Sequence, residues 1–207
     1  ECLHMLGVAV AQFGRLGEAI ELLRDAIERV PDNAEFHSNL GEALRLAKKD
    51  DEAIAAFRKA IEVDDGNFEA NHSLATLMAQ SGQLTKAVEL AHKAVEVRPS
   101  NATAQVSLGE FLRRTGDYDG ALAAADRALK IVPDYEKALN LRGLLLREKG
   151  RYEEAIPYFE AGLRAKHVSK ENRLNLAASL TAIGRYEEAA NAYQEHLRLS
   201  INDPVPY

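Results

Sequence analysis

The chain of 207 residues has one cysteine, six prolines and no tryptophan. A single thiol cannot form an internal disulfide or a metal site built from several thiolates. It also fits a reducing compartment, so we expect a cytoplasmic location. Because glycine and proline are scarce, their positions should mark the breaks between structural elements.

Positive charge is in deficit, with 26 Lys and Arg against 32 Asp and Glu and a net charge of −6. A chain of this charge repels phosphate, so we expect no nucleic-acid partner. Hydrophobic residues make up 46% and charged residues 28% of the sequence. This mixture predicts a folded chain with a substantial core, not a disordered one.

Long apolar runs are also lacking. The apolar uncharged run from Cys2 to Gly14 is well short of the ~20 apolar residues that a membrane-spanning helix needs, and the longer uncharged run from Ala70 to Thr85 is interrupted by polar residues. We therefore expect no direct insertion into a membrane. The chain begins without methionine on a helical pattern, and we expect it to be a piece of a longer protein or a processed form.

The sequence repeats with a period of 34 residues. One series of small residues is Gly7, Gly41, Ala75, Gly109, Gly143 and Ala177. A second series is Ala19, Ala53, Ala87, Ala121, Ala155 and Ala189. A third is Leu6, Leu40, Leu74, Leu108 and Leu176, broken by Arg142, and a fourth is Gly14, Gly82, Gly116, Gly150 and Gly184, broken by Lys48. The period predicts six repeats, at residues 1–33, 34–67, 68–101, 102–135, 136–169 and 170–203, followed by a tail at 204–207.

Each repeat has two stretches of helical periodicity. In the second repeat, Leu40, Ala43 and Leu44 recur at three and four residues, and Ile54, Phe57 and Ile61 do the same further along. The glycine between the stretches should end the first helix, because glycine adopts the left-handed conformation without strain. The second helix should end at a proline in several repeats: Pro31, Pro99 and Pro133. One helix pair cannot bury its own apolar stripe, so stacked pairs must share a core.

The residues in these registers resemble the tetratricopeptide repeat, and the segments GRYEEA at 150–155 and 184–189 are typical of it. The resemblance covers nearly the whole chain. It implies an all-α fold, a right-handed α-solenoid superhelix of six helix-turn-helix repeats. The family's proline is replaced by Asp65 and Ile201, and its last small residue is Gly162 in the fifth repeat and His196 in the sixth.

The resemblance further implies that the first helices line a concave face that binds an extended peptide or a partner helix. Arg45, Arg113 and Arg147 share one register position, so they could form a row that binds the carboxylates of an acidic peptide. Alternatively, Glu42 and Glu110 lie three residues before Arg45 and Arg113, which is the spacing of ordinary ion pairs within one helix. The candidate groove residues are Asn39, Glu42, Arg45, His72, Thr76, Ser107, Glu110, Arg113, Arg114, Asn140, Arg147 and Asn175.

Two subclasses of the family can be compared with this sequence. Members that bind chaperone tails hold two carboxylates with Lys and Asn at set positions, and no three consecutive repeats here carry that set. The repeat arm of O-linked N-acetylglucosamine transferases has an asparagine ladder, of which only Asn39 and Asn175 match. Residues 3–27 and 36–45 are similar to bacterial proteins in which such repeats precede a glycosyltransferase or sulfotransferase domain.

Catalytic patterns are missing from the sequence. The six histidines never pair at metal-ligand spacing on one helix face, and Cys2 has no nearby base. We therefore expect no enzyme activity and no cofactor. His72 is expected to be a polar contact of the groove.

The two ends of the array carry apolar surface. Met5, Leu6 and Phe13 belong to an apolar first helix, and Tyr193 and Leu197 form a stripe on the last one. Flanking repeats of a parent protein or self-association could cover these surfaces, or they could be a tolerated exposed patch. Three functions stay open: a noncatalytic scaffold that binds a peptide or partner protein, a substrate-recruiting arm of a larger enzyme, and a self-assembling structural module.

Overall fold

A computed structural model of the chain describes residues 1–166 and 169–201, with side chains up to residue 199. In these residues the secondary structure is helical throughout. The first helices of the repeats are α1 (Cys2–Gln12), α3 (Ala34–Leu46), α5 (Phe68–Gln80), α7 (Ala102–Thr115), α9 (Glu136–Glu148) and α11 (Lys170–Ala182). The second helices are α2 (Leu16–Arg29), α4 (Asp50–Val63), α6 (Leu84–Val97), α8 (Tyr118–Ile131), α10 (Tyr152–Ala165) and α12 (Tyr186–Ile201). The predicted all-α class and six helix-turn-helix pairs are confirmed, while the predicted tail at 204–207 lies outside the described residues.

The helices group into two compact units, which are described separately. The N-terminal unit comprises residues 1–99 with α1 to α6, and the C-terminal unit begins at residue 100 with α7 to α12. Within each unit, the two helices of a repeat pack together, and the second helix of a repeat packs against the first helix of the next. Successive first helices also contact one another, such as α3 with α5 and α7 with α9. We call the surface made by the first helices of a unit its first-helix face.

The turn inside each repeat is built on one residue with positive φ. The glycines of the fourth series have φ between 74° and 88°, and Lys48 takes the same place with a φ of 61°. The backbone N–H of the next residue donates to a carbonyl five positions earlier and so closes the helix end. For example, Asp117 N–H donates to the Leu112 carbonyl at 3.0 Å. The predicted role of this series is confirmed, and Lys48 adopts a conformation that costs a non-glycine residue free energy.

Asparagine and serine begin most of the first helices. The side chains of Asn33, Asn67, Asn101 and Ser169 each accept a hydrogen bond from the backbone N–H three residues later. These caps satisfy donors that the helix cannot satisfy itself, and each is worth about 1 kcal/mol. The sequence analysis missed them, although their 34-residue spacing is visible in the sequence. Tyr135 occupies the same place in the fifth repeat without a side-chain cap.

A polar residue in the first helix holds the loop that precedes it. The buried His37 ring contacts the Pro31 carbonyl at 2.7 Å through Nε2. In the next repeat the buried Asn71 donates Nδ2 to the Asp65 carbonyl at 2.9 Å. Because the loop is held through a backbone oxygen, Asp65 can replace the family's proline and leave this contact in place.

Small residues allow the two helices of a repeat to approach closely. Every member of the Ala19 series is buried, with exposure of 3% or less. The Gly41 and Gly143 positions face the rings of Phe57 and Phe159, which are both fully buried. The two predicted series of small residues therefore mark the contact between the paired helices.

Candidate functional site

A pocket of about 380 Å³ lies on the first-helix face of the N-terminal unit, between α3 and α5. Five of the predicted groove residues line it: Asn39, Glu42, Arg45, His72 and Thr76. Ser38, Glu69 and Ser73 complete the polar lining, and Phe57 contributes an aromatic surface. The pocket offers hydrogen-bond donors and acceptors beside one aromatic ring.

Arg45 in this pocket is paired with a carboxylate of its own helix. Its Nε and Nη2 atoms donate to the two oxygens of Glu42 at 2.8 and 2.5 Å. The hydrogen bonds from Arg45 to Glu42 raise the pKa of the guanidinium. The sequence left open whether Arg45 binds a ligand or forms an ion pair within its own helix, and in the structure it forms that ion pair.

His72 and Phe68 stack near the mouth of the pocket. Their ring centroids are 5.7 Å apart and their planes differ by 3°. Burial lowers the pKa of His72, so the imidazole is neutral at pH 7. The Arg98 guanidinium lies 4.3 Å from the centroid of the Phe68 ring and forms an ion pair with Glu69 at 2.5 Å. His72 is thus a neutral polar group that lines the pocket, and its expected role as a groove contact stays a prediction.

Asn39 connects the pocket to the first repeat. Its Nδ2 donates to Nε2 of His4 at 2.7 Å, and the His4 ring stacks on Phe36 with a centroid distance of 4.3 Å. His4 is buried, and burial lowers the pKa of its imidazole. Asn39 retains its carbonyl oxygen and one amide proton for a ligand. Thr76 donates its hydroxyl to the His72 carbonyl at 3.1 Å, so this residue offers a ligand an acceptor.

The C-terminal unit carries a pocket of about 350 Å³ on its own first-helix face. Its lining residues are Val106, Glu110, Glu136, Lys137, Asn140, Leu141, Lys166 and Glu171. Five of them lie 68 positions after a lining residue of the first pocket, so the two pockets occupy the same place in the repeat. The chemistry differs, because Lys137 replaces Glu69, Asn140 replaces His72, and Leu141 replaces Ser73.

Arg113 and Arg147 lie on α7 and α9, but their charges are met differently. Arg113 donates to both oxygens of Glu110 at 3.1 and 2.7 Å and to Glu148 at 2.6 Å. The hydrogen bonds to Glu110 raise the pKa of Arg113. Arg147 instead donates to the neutral side chain of Asn175 at 2.9 Å. Within the described part of the chain, Arg147 is paired with an amide and not with a carboxylate.

Hydrogen bonds join two lining residues of this pocket, Glu136 and Asn140, to the buried side chains of Ser169 and Asn172. Asn140 donates to Oδ1 of Asn172 at 3.1 Å, and Asn172 donates Nδ2 to Glu136 at 2.5 Å. Ser169 donates its hydroxyl to the same Glu136 oxygen at 2.7 Å. Asn172 is fully buried, and Gly162 leaves the space that its side chain fills. The sequence analysis missed Asn172, although the three preceding repeats have alanine at its position.

The remaining predicted groove residues lie on α7. Ser107 is half-buried and Arg114 is exposed. The structure therefore places all twelve predicted residues on first helices, with Asn39, Glu42, Arg45, His72 and Thr76 together in one pocket and Glu110 and Asn140 together in the other.

Apolar side chains are exposed on the first and the last helix. On α1, Met5 is 69%, Leu6 51% and Phe13 84% exposed. On α12, Tyr193 is 39% and Leu197 58% exposed. Leu6 belongs to the leucine series whose members Leu40, Leu74 and Leu108 are buried. Leu6 therefore differs in exposure from its equivalents in the next three repeats.

Over residues 1–166 and 169–201, no group of three or more His, Cys, Asp or Glu side chains could hold a metal ion. No helix in the same residues is both long enough and apolar enough to span a membrane. Cys2 is exposed on α1.

Comparison with known families gives repeated matches along the chain. A tetratricopeptide repeat model matches residues 4–68 and 140–204. A second tetratricopeptide repeat model matches residues 100–167. Among curated proteins, no sequence matches this chain.

Several solved structures share the fold. The pilF protein of Pseudomonas aeruginosa is 18% identical with a TM-score of 0.83, over 98% of this chain and 92% of that one. MamA is 22% identical with a TM-score of 0.71, over 80% of this chain and 91% of that one. YrrB, described as a protein with an unusual peptide-binding site, is 19% identical with a TM-score of 0.72, over 87% and 93% of the two chains. At these identities the likeness concerns the fold alone.

Proposed function

The chain belongs to the tetratricopeptide repeat family, and on this basis we propose that it is a noncatalytic scaffold whose first-helix faces bind a peptide or a partner protein. The observation that carries the proposal is the recurrence of one pocket at the same repeat position in both units. A surface that recurs at one position of the repeat suits a ligand that is itself extended. YrrB, a relative in fold, is described as having a peptide-binding site, which supports the same type of ligand.

The side chains of the two pockets suit a peptide backbone flanked by different side chains. Asn39 and Thr76 provide amide and hydroxyl groups that match peptide carbonyl and N–H groups. In the second pocket, the apolar edges of Val106 and Leu141 lie beside Asn140. We therefore expect the first pocket to bind a segment with polar side chains, and the second pocket to bind a segment with an aliphatic side chain.

The predicted preference for an acidic partner depends on the arginines. Arg45 and Arg113 already bind carboxylates of Glu42 and Glu110, so an acidic ligand would have to displace them. Arg147 binds an amide and keeps its full charge for a ligand. If the partner is acidic, its carboxylate should lie near Arg147.

Peptides selected from a random phage-displayed library on the 207-residue chain test the proposal. Ser73→Arg fills the first pocket, and Thr85→Arg makes the same change at an exposed position of α6. Selected peptides that use this pocket should bind the Ser73 variant at least about tenfold more weakly, with the Thr85 variant unaffected. The proposal fails if the selection yields no peptide, or if every peptide binds both variants like the parent.

A second set of variants tests the acidic preference. The double variant Arg113→Ala and Arg147→Ala should lower the affinity for acidic peptides without unfolding the array. Arg151→Ala with Arg185→Ala removes two exposed arginines that pair with Glu154 and Glu188 near the starts of second helices. Equal affinity of acidic peptides for both double variants would reject a role for the Arg113 and Arg147 pair.

Self-association is a second candidate function, favoured by the exposed apolar residues of α1 and α12. A contact between these two different surfaces would be heterologous, and such contacts generate open chains of molecules. Sedimentation velocity over a range of concentrations should then show growth that Phe13→Lys and Leu197→Lys each abolish. A constant monomer mass would reject this candidate. The role as a recruiting arm of a glycosyltransferase or sulfotransferase stays a prediction from the resemblance of residues 3–27 and 36–45.

A further inference from the structure

A second pocket of the N-terminal unit lies away from the first-helix face, between the second helices α4 and α6. It measures about 360 Å³. Leu74, Met78 and Leu90 give it an apolar floor. Its charged residues are Arg58, Lys86, Lys93 and Glu89. The pocket thus combines apolar side chains with an excess of two positive charges.

The three cations of this pocket lack carboxylate partners. Across the described residues, neither Arg58, Lys86 nor Lys93 forms an ion pair, and Lys86 donates only to the neutral Gln83 side chain at 3.0 Å. Like charges that face one pocket repel each other, and pairing with an anion would relieve this repulsion. An anionic ligand is therefore favoured over a cationic one.

One repeat earlier, the residues at the positions of Arg58 and Lys86 form an ion pair. Arg24 corresponds to Arg58, and Glu52 corresponds to Lys86, each 34 positions earlier. Arg24 donates to Glu52 at 2.7 Å, which joins α2 to α4. The change from glutamate to lysine at residue 86 removes the intramolecular partner of Arg58.

In the C-terminal unit, an arginine side chain fills the equivalent groove. Arg142, Asp126 and Tyr158 lie 68 positions after Leu74, Arg58 and Leu90. The Arg142 guanidinium forms an ion pair with Asp126 and lies 4.9 Å from the centroid of the Tyr158 ring. One side chain with an aliphatic stem and a charged end thus occupies the groove between α8 and α10.

The two grooves carry opposite charges at one wall position, Arg58 in one and Asp126 in the other. In the C-terminal unit the occupant is a cation, and the wall residue that binds it is the anion Asp126. In the N-terminal unit the corresponding wall residue is the cation Arg58, so the complementary occupant is an anion with an aliphatic body. Because one side chain fills the equivalent groove, the space fits a side chain of a protein better than a long acyl chain.

We propose that the groove between α4 and α6 is a second interaction surface, which binds an acidic segment of a partner protein. One aliphatic side chain of the segment packs on Leu74, Met78 and Leu90. The carboxylates beside it bind Arg58, Lys86 and Lys93. This surface is separate from the first-helix face and could be occupied while that face holds its own ligand.

A fluorescein-labelled peptide with one leucine between two pairs of glutamates serves as the probe, and the same peptide with serine in place of leucine is its control. We expect saturable binding at low salt by fluorescence anisotropy, weaker binding of the serine peptide, and weaker binding at high salt. Shifts of the Leu74 and Leu90 methyl signals on addition of the probe should place it in the groove.

The variant Lys86→Glu recreates the pair that Arg24 and Glu52 form, so it should close the groove. We expect it to lower the affinity for the probe by about tenfold or more and to raise the melting temperature of the 207-residue chain. Lys59→Glu makes the same charge change on α4 at a residue that does not line the groove. It should alter the affinity by no more than about twofold.

Three results would overturn the proposal. The first is the absence of binding up to about 1 mM probe. The second is equal weakening by Lys59→Glu and Lys86→Glu, which would show attraction to net charge alone. The third is saturable binding of octanoate in the groove while the leucine peptide fails to bind, which would assign the groove to an acyl chain.

Discussion

The ring of Phe57 occupies the space that a side chain at Gly41 would need. A Cβ added to Gly41 would lie 2.6 Å from Cε1 of Phe57, and Gly143 has the same relation to Phe159 at 2.6 Å. In the third repeat, Ala91 takes the place of Phe57, and Ala75 takes the place of Gly41. In the second and fifth repeats the phenylalanine ring therefore fills the space that glycine leaves between the paired helices.

Replacement of Gly41 by alanine should destabilise the array. Overpacking costs about 1–3 kcal/mol, which exceeds the gain of up to about 1 kcal/mol that alanine brings to a helix interior. In a Phe57→Leu background the smaller side chain leaves room, so Gly41→Ala should become neutral or stabilising. Chemical denaturation of the four proteins in this cycle measures the sign.

Gly17 provides the matched control, because it is helical and a Cβ there would meet nothing within 4 Å. Gly17→Ala should leave the stability unchanged or raise it. If Gly41→Ala destabilises the Phe57→Leu protein as much as the parent, the coupling between the two positions is absent.

Ala121→Leu tests the second series of small residues. Ala121 is fully buried, and its carbonyl oxygen lies 3.2 Å from the place of a Cβ on Gly109. A leucine there should overpack the contact between α7 and α8 and cost about 1–3 kcal/mol. An unchanged midpoint in thermal denaturation followed by circular dichroism would show that the register of the repeat is misassigned.

The fold could be read from the sequence because its signals recur at a fixed spacing. Gly41, Ala53 and Gly82 each belong to a series, so an ambiguous signal in one repeat is resolved by the others. Replacements such as Lys48 and Arg142 did not obscure the period, since the backbone of Lys48 still adopts the left-handed turn. The period did not predict the partners of Arg142. These are Asp126 and Tyr158, and both differ from the residues at the same positions of the other repeats.

Lys48→Gly should stabilise the chain. Lys48 is the one non-glycine residue with positive φ among those described, and this conformation costs an L-residue about 1–2 kcal/mol. Glycine removes that cost but loses about 0.5–1 kcal/mol through its larger freedom in the unfolded chain. A net gain of about 0.5–1 kcal/mol in the free energy of unfolding is expected by urea denaturation. Gly150→Lys should lower the free energy of unfolding by a similar amount, and an increase in that variant would contradict the explanation.

The candidate site was predictable in outline but not in its contacts. The register of Asn39, His72 and Asn140 placed them on first helices, because a helix face follows from spacing alone. Their hydrogen bonds depend on side chains from neighbouring repeats, such as His4 for Asn39 and Asn172 for Asn140. A single sequence gives no direct information on such pairs, and the predicted arginine row accordingly missed the amide partner of Arg147.

The hydrogen bond from Asn39 to His4 predicts how stability depends on pH. Nε2 of His4 accepts a hydrogen bond from Asn39, so this nitrogen must be unprotonated for the bond to form. Burial lowers the pKa of His4 in the folded chain below its usual value of about 6.5. The unfolded chain then binds more protons than the folded one in this range, and the free energy of unfolding must fall as the pH drops below about 6.5. The loss ends once the pH is below the pKa of folded His4.

An NMR titration of the His4 ring in the 207-residue chain measures this pKa directly. It should lie below about 6.5 in the parent. In Asn39→Ala it should move upward, because the neutral imidazole loses the hydrogen bond that favours it. Burial of the ring and its stacking on Phe36 remain in that variant, so the pKa should not return fully to its usual value. A His4 that titrates at or above about 6.5 in the parent, or one that Asn39→Ala leaves unchanged, would show that the bond to Asn39 does not control its protonation.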